Sequence, residues 1–173
     1  QKYILYVGSG FKRKGVEEFL NIVSKLEYEN VKAFVIGKDK NINDYVEIAK
    51  EFGIEDKVIF TGPRSDVNDF YTIADIFLFP THYEPFSNVI LEAMCRGIPV
   101  ISTNVGAIPD TISNNVNGFL IEPMNEKELE LAMESYINSP ELVELHSIEV
   151  LKIISKEHGF ENNLNVLLKL LSK

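Results

Sequence analysis

Residues 79–102, with the sequence FPTHYEPFSNVILEAMCRGIPVIS, contain the end of one apolar run, a polar loop, a helix-like segment and the start of a second apolar run. Pro80 ends the first run, because proline cannot donate to a strand ladder. Ser87 is a candidate N-cap for the segment that follows, whose apolar residues favour a helix buried nearly all round. This stretch therefore predicts a strand, a loop, a buried helix and another strand, which is one unit of a parallel α/β sheet.

Two carboxylates in this stretch, Glu84 in the loop and Glu92 in the helix, suggest a binding site. Glu92 is the only acid in its helix, and a buried charge needs a partner. Helical side chains lean toward the helix N-terminus, so Glu92 can reach back toward the loop that holds Glu84. The free N–H groups at the helix start favour phosphate, and the site then suits a phosphorylated polyol. The alternative is that Glu92 only complements the helix dipole and Glu84 is an ordinary loop residue.

The composition is typical of one soluble domain. The chain has 173 residues, 45% of them hydrophobic and 25% charged, which is enough for a domain with its own core. The net charge of -9 argues against nucleic acid or an anionic membrane as the partner of the whole segment. The single cysteine, Cys95, excludes an internal disulfide, and we expect it to pack as a small apolar residue. No apolar run approaches the roughly 20 residues of a membrane span.

Strands and helices alternate along the chain. We predict strands at residues 2–7, 31–36, 57–61, 75–79, 99–103 and 118–121. Helices are predicted at residues 16–26, 40–52, 66–74, 125–138, 140–156 and 160–171, with the central helix after Ser87 and a helical turn at 110–114. This alternation predicts a doubly wound, Rossmann-like α/β fold with a six-stranded parallel sheet of order 3-2-1-4-5-6.

Two loops should meet at one edge of this sheet. The glycine loop, GSGFKRKG at residues 8–15, follows strand 1 and carries Lys12, Arg13 and Lys14. The acid loop, PTHYEPFS at residues 80–87, follows strand 4 and carries Glu84. Strands 1 and 4 are neighbours at the switch point of the predicted order, where such sheets bind ligands. We therefore expect the cations and the two carboxylates to face one crevice.

The three histidines lack ligand-like spacing, and no metal site is predicted. His82 lies in the acid loop and can either line the crevice or face solvent. We interpret His146, on a helix, and His158, between helices, as solvated residues.

The residues EPFSNVILEAMCRGIPV, at 84–100, resemble the signature of retaining family-4 glycosyltransferases. Supporting matches in the same order are GSGFKRKG at 8–15, VIGKD at 35–39, TGPRSDV at 61–67, NVGAIPDTI at 104–112 and NGFLIEP at 117–123. Enzymes of that family have the two-domain GT-B fold, in which the C-terminal domain binds a nucleotide sugar. The resemblance implies that residues 1–173 are one such C-terminal domain and that the acceptor domain precedes Gln1. The glycine loop is most similar to that of the lipopolysaccharide core glucosyltransferase that uses UDP-glucose.

The resemblance also implies roles for individual residues. Arg13 and Lys14 would bind the donor diphosphate and stabilise it as the leaving group. Glu84 would hold hydroxyls of the sugar, and Glu92 would accept from the ribose. The other implied donor contacts are the backbone amides of Phe86 and Ser87 to the sugar, those of Asn88 and Val89 to phosphate, Arg64 near the base, and Gly8, Gly10 and Gly37. No metal or other cofactor is implied.

Two positions depart from the family pattern. Many relatives have glycine where Ser87 stands, so the sugar pocket here is expected to differ slightly. Many have arginine where Ser9 stands, so Arg13 is expected to supply that charge.

The resemblance therefore predicts a cytoplasmic, membrane-peripheral hexosyltransferase. Its acceptor is expected to be a glycan or a lipid-linked sugar such as lipopolysaccharide core, and the fragment is expected to be inactive alone. We expect the leucine face of the last helix, residues 160–171, to favour self-association. Two alternatives stay open: a UDP-sugar epimerase or glycogen-synthase-like enzyme domain, and a non-catalytic nucleotide-sugar sensor or scaffold.

Overall fold

The computed structural model describes residues 1–28 and 30–157 of the chain. In chain order its elements are β1 (Lys2–Val7), α1 (Val16–Lys25), β2 (Val31–Ile36), α2 (Ile42–Glu51), β3 (Val58–Gly62), α3 (Val67–Ile73), β4 (Ile76–Phe79), α4 (Asn88–Met94), β5 (Val100–Thr103), a 3-10 turn (Ile108–Asp110), β6 (Gly118–Ile121), α5 (Glu126–Asn138) and α6 (Pro140–Glu157). The helix expected at residues 160–171, its proposed role in self-association and His158 lie outside the described residues.

All strand pairs in the sheet are parallel, in the order β3-β2-β1-β4-β5-β6. This confirms the predicted topology. β1 pairs with β2 along its whole length, and its other edge pairs with β4 through Ile4↔Ile76 and Leu5↔Phe77. The chain order reverses between β1 and β4, so the loops after these two strands open at the same carboxyl edge.

The central strands form the core. Every residue of β4, with the sequence IFLF, and of β5, with the sequence VIST, is buried. Such strands read as continuous apolar runs rather than alternating ones because helices cover both faces of a parallel sheet. α1 packs beside α2 and α5, and α6 packs beside α4 and α5. The rigid centre of the sheet therefore lies directly beneath the glycine loop and the acid loop.

Several local expectations were wrong. α4 is amphipathic rather than buried all round: Ile90, Ala93 and Met94 face the core, whereas Glu92 is exposed. Cys95 is also exposed, because it follows the last residue of α4 and lies off the buried face. The helical turn expected at 110–114 is a 3-10 turn at Ile108–Asp110, where Pro109 suits the first turn because it lacks an N–H to satisfy.

His146 is buried, with 1% of its surface exposed, and the expectation that it is solvated was wrong. Its Nδ1 lies 2.7 Å from the hydroxyl of Tyr136, and the ring packs near Phe119. Burial lowers the pKa of His146, and a hydrogen bond to the backbone of Asn115 opposes this shift. The neutral imidazole thus joins α6 to α5.

We expect the protein to lose stability as the pH falls below about 6.5, the ordinary pKa of histidine. The unfolded chain binds a proton there that folded His146 resists, so protonation favours unfolding by at most about 1.4 kcal/mol per pH unit. Urea unfolding between pH 7.5 and 5.5 measures the slope. The variant His146→Gln should have the smaller slope, and equal slopes in the two proteins would contradict this assignment.

Candidate functional site

The glycine loop and the acid loop lie side by side, as the predicted topology requires. Besides the contact of Lys14 with Glu84, three hydrogen bonds join them, all involving Arg13. Its carbonyl oxygen accepts from the backbone N–H of His82 at 3.0 Å and from the hydroxyl of Thr81 at 3.3 Å. Its guanidinium donates to the carbonyl oxygen of Tyr83 at 3.0 Å. The two loops are thus joined into one polar surface at the carboxyl edge of the sheet.

Two glycines permit the close approach of the loops. A Cβ at Gly15 would lie 1.9 Å from the carbonyl oxygen of Pro80, and one at Gly106 would lie 1.8 Å from that of Glu84. Both glycines have positive φ, 75° and 57°, which other residues rarely adopt. Gly15 therefore seats the glycine loop on the acid loop, and Gly106, after β5, supports the acid loop from its other side.

The centre of the site is an ion pair between the ammonium of Lys14 and the carboxylate Oε2 of Glu84. Only 8% of Lys14 and 5% of Glu84 is exposed. The Lys14 ammonium also lies 5.3 Å from the centre of the Phe79 ring. Glu84 is therefore a buried and paired residue rather than a solvent-exposed loop residue, and its contact with a ligand stays a prediction. Burying two charges is unfavourable unless each is well paired, so such a pair is weak evidence for a purely stabilising role.

Glu92 lies one helical turn along α4, and its contact is with α3. Its Oε2 accepts from the hydroxyl of Tyr71 at 3.0 Å. Burial is the main cause that raises the pKa of Tyr71, and the negative charge of Glu92 raises it further. Tyr71 therefore supplies the partner that Glu92 was expected to need, although Glu92 itself is exposed. Glu84 thus contacts Lys14, and Glu92 contacts Tyr71. That the two acids bind one ligand together stays a prediction.

The remaining candidate residues of the acid loop and of the start of α4 differ in their exposure to solvent. Phe86 is 65% exposed at the rim of the acid loop. Ser87 is the N-cap position of α4, as predicted, but its hydroxyl makes no capping hydrogen bond. Asn88, which is exposed, and Val89, which is half-buried, form the first turn of that helix.

The glycines predicted to line the site lie at the ends of β1 and β2. Their backbone N–H groups donate to backbone carbonyl oxygens: Gly8 to that of Ile36 at 2.9 Å, Gly10 to that of Lys38 at 3.1 Å, and Gly37 to that of Gly62 at 3.1 Å. These bonds fix the path of the glycine loop beside the neighbouring strand ends. They leave the predicted contacts of the three glycines with a ligand untested.

Arg64 lies between β3 and α3, where it contacts two neighbouring side chains. Its guanidinium donates to the Asp66 carboxylate, with Nε at 2.7 Å from Oδ1, and lies 5.6 Å from the centre of the Phe70 ring. The Asp66 side chain, at the N-cap position of α3, binds Arg64 and makes no cap hydrogen bond. A ligand at this end of the site would meet a stacked, paired guanidinium.

His82 faces away from Glu84, toward α1. Its Nε2 lies 3.0 Å from Oε1 of Glu18, and both residues line a cavity of 160 Å³ that extends to α5. The other lining residues are Asn21, Pro80, Thr103, Ile121, Glu122, Met124, Asn125, Glu126 and Leu129. This cavity adjoins the acid loop, and no spacing in the sequence indicated it.

Two tyrosines of the site were also missed by the sequence analysis. Tyr71 holds Glu92, and Tyr6 lies beneath the glycine loop, where a Cβ at Gly8 would be 3.1 Å from its hydroxyl. Burial raises the pKa of Tyr6. Within residues 1–28 and 30–157, the buried side-chain polar atoms without a hydrogen-bond partner are the hydroxyl oxygens of Tyr6 and Ser87. Both residues adjoin the loops of the site, and both read in the sequence as ordinary strand and cap residues.

A sequence profile described as "Glycosyl transferases group 1" matches residues 1–147. The chain belongs to this family of glycosyltransferases, as the resemblance of residues 84–100 predicted. Among curated relatives, the capsular polysaccharide biosynthesis glycosyltransferase CapM of Staphylococcus aureus is 38% identical over 144 residues, 80% of this chain and 37% of CapM. The lipopolysaccharide glucosyltransferase WaaG of Escherichia coli is 32% identical over 145 residues, 81% of this chain and 38% of WaaG. The chain thus spans little more than a third of the length of these relatives.

Solved structures of glycosyltransferases share the fold. WaaG superposes with a TM-score of 0.86 at 27% identity, over 92% of this chain and 44% of WaaG. Anabaena HepE, in a complex with UDP, superposes with a TM-score of 0.88 at 24% identity, over 99% of this chain and 49% of HepE. At the latter identity the likeness shows the fold alone. These neighbours have the GT-B fold, which confirms the expected fold class of the six-stranded sheet.

Two features are absent from the part of the chain that the structure describes. None of the helices formed by residues 1–28 and 30–157 has the length and apolarity needed to cross a bilayer. In that same part of the chain, no three or more histidine, cysteine, aspartate or glutamate side chains are grouped as metal ligands would be.

The contact between the acid loop and the segment after β5 can be tested through Gly106. Gly106→Ala should destabilise the protein by more than the about 1–3 kcal/mol of a strained φ, because its Cβ would overlap the Glu84 carbonyl. Gly10→Ala is the matched control, since Gly10 also has positive φ, 78°, but no atom lies within 4 Å of its Cβ position. Thermal unfolding of the two variants measures the difference, and equal losses would show that the acid loop is not in contact with Gly106.

Proposed function

We propose that this chain is the donor-binding half of a retaining hexosyltransferase, and that it binds UDP-glucose or a related UDP-hexose where the glycine loop and the acid loop meet. The observation that carries this proposal is the buried pair of Lys14 and Glu84. It brings a cation suited to a diphosphate and a carboxylate suited to sugar hydroxyls to one point at the switch point of the sheet.

Lys14 and Arg13 bind the diphosphate of the donor. When the bond between the sugar and the diphosphate breaks, negative charge grows on the departing oxygen, and fixed cations stabilise it in a water-poor site. Lys14 is buried beside the Phe79 ring, so its charge already lies in a water-poor part of the site. The guanidinium of Arg13, at the exposed side of the same loop, adds the second cation. No metal ion is required in this scheme.

Glu84 accepts hydrogen bonds from hydroxyls of the hexose, with the backbone amides of Phe86 and Ser87 beside it. Glu92 accepts from the ribose, and its bond to Tyr71 orients the carboxylate for that contact. The amides of Asn88 and Val89 face the phosphates, and Gly8, Gly10 and Gly37 allow the nucleotide to approach the strand ends. Arg64 lies beside the base. Different residues of the site thus contact the diphosphate, the hexose and the nucleoside of the donor.

The comparisons support the choice of donor and acceptor class. HepE has been crystallised with UDP and with UDP-glucose, which supports a uridine nucleotide. WaaG is a lipopolysaccharide glucosyltransferase and CapM serves capsular polysaccharide synthesis, which supports a glycan or lipid-linked acceptor. We place the acceptor domain before Gln1 and the whole enzyme in the cytoplasm, at the inner face of the membrane. This chain alone then binds donor and transfers no sugar.

We expect UDP to bind this 173-residue chain and to raise its melting temperature, because a ligand of the folded state stabilises it. Lys14→Ala should weaken UDP binding at least about tenfold, since hydrogen bonds to charged groups contribute about 1.5–3 kcal/mol. Lys12→Ala removes an exposed cation from the same loop and is the matched control. Calorimetric titration of both variants measures the effect. An unchanged affinity in Lys14→Ala, or no binding by the unaltered chain, would contradict the proposal.

In the whole enzyme, Lys14→Ala should lower kcat about 10²–10³-fold, the usual effect of removing one fixed donor to a developing negative charge. Its KM for the donor should rise by a smaller factor. Steady-state kinetics with UDP-glucose separate the two constants. A kcat equal to that of the parent enzyme would remove Lys14 from the role of stabilising the leaving group.

A further inference from the structure

We infer that the Lys14–Glu84 pair makes the site distinguish the nucleotide sugar from the nucleotide that remains after transfer. The pair is closed when no donor is bound, it opens to accept a nucleotide sugar, and it closes again to displace the nucleotide that has lost its hexose. This inference rests on the proposed function and adds a specificity-determining role for Glu84 that is separate from holding the sugar.

The first ground is that the two groups which the donor requires already satisfy each other. The Lys14 ammonium and the Glu84 carboxylate are paired, and both side chains are nearly inaccessible to solvent. The ammonium has three N–H donors, but with Glu84 beside it little of its surface is accessible, so a diphosphate gains the full charge only by drawing the ammonium away from Glu84. The two anions, one from the protein and one from the ligand, therefore compete for one cation.

The second ground is the state of Glu84 after the pair opens. Only 5% of the Glu84 residue is exposed, so its carboxylate has little access to water, and its backbone carbonyl oxygen lies against Gly106. Left without a partner, a buried charge is strongly unfavourable. The hydroxyls of a hexose can donate to it, whereas UDP has no hexose to place at that position. A nucleotide sugar thus replaces both halves of the pair, and UDP replaces only one.

The third ground is that the closed arrangement leaves hydrogen-bonding groups unused. In the part of the chain that the structure describes, the two buried hydroxyls without partners belong to Tyr6, beneath the glycine loop, and Ser87, at the end of the acid loop. Buried polar groups are nearly always hydrogen-bonded, so each exception calls for an explanation. Both belong to or adjoin the two loops that the pair holds together, which fits a site whose polar groups are satisfied only when a ligand is bound.

The consequence is a difference in affinity set by Glu84. While the hexose is present, its hydroxyls compensate Glu84 and Lys14 stays with the diphosphate. Once the hexose has left, Glu84 loses those donors, and Lys14 is its remaining partner. Return of Lys14 to Glu84 weakens the hold on the diphosphate and favours release of UDP.

Calorimetric titration of this chain with UDP and with UDP-glucose tests the inference in Glu84→Gln. The variant should bind UDP about tenfold more tightly than the parent, a change of 1.4 kcal/mol, because no carboxylate competes for Lys14. Its affinity for UDP-glucose should stay equal or fall, so the preference for the sugar nucleotide drops at least about tenfold. Glu149→Gln is the matched control: it removes the same charge from an ion pair with Lys152 on α6.

The outcomes separate the two proposals. If the parent chain binds UDP but Glu84→Gln binds it no more tightly than Glu149→Gln does, the inference is wrong and the proposed function stands. If the parent chain binds neither ligand, both are wrong. Should Glu84→Gln fail to fold, Glu84→Asp keeps the charge but shortens the side chain, and a smaller gain in UDP affinity is expected from it. An unchanged UDP affinity in folded Glu84→Asp then contradicts the inference.

Discussion

The buried ion pair between Lys14 and Glu84 joins two loops whose residues are 70 positions apart in the chain. Neither charge can be left alone in this environment, because an unpaired buried charge is far less favourable than a paired one. The parallel sheet is what allows the pair to form: β1 and β4 are adjacent, and both end at the same edge. A different strand order would separate the two residues. The site therefore depends on the strand order of the fold.

The loops are held against each other by more than charge. Arg13 is bonded to three residues of the acid loop, and Gly15 and Gly106 bring the backbones within a distance that no side chain would permit. This backbone framework fixes where Lys14 and Glu84 lie, so that a ligand exchange can involve side chains alone. A rigid support with a few replaceable contacts is the arrangement expected of a site that binds and releases the same nucleotide repeatedly.

The sequence predicted the sheet order, the two loops and the meeting of their charges, because apolar runs, glycines and prolines mark strands and turns directly. The sequence did not predict burial correctly where it depends on how distant elements pack against each other. Glu92 was expected inside an apolar helix, yet only one face of α4 meets the core. His146 was expected in solvent, yet α5 and the Phe119 ring enclose it. The Tyr71 contact, the unpaired Tyr6 hydroxyl and the cavity beside His82 join distant elements, and no local pattern marks them.

The most direct test of the central claim is an NMR titration of the ¹⁵N-labelled chain with UDP-glucose. If one ligand site lies where the two loops meet, the largest changes in amide chemical shift should fall in residues 8–15 and 81–89, with the side-chain signal of Lys14 among them. The opposite edge of the sheet, near Arg96 and Gly97, should change little. Shifts concentrated at that opposite edge, with the glycine loop and the acid loop unaffected, would contradict the account.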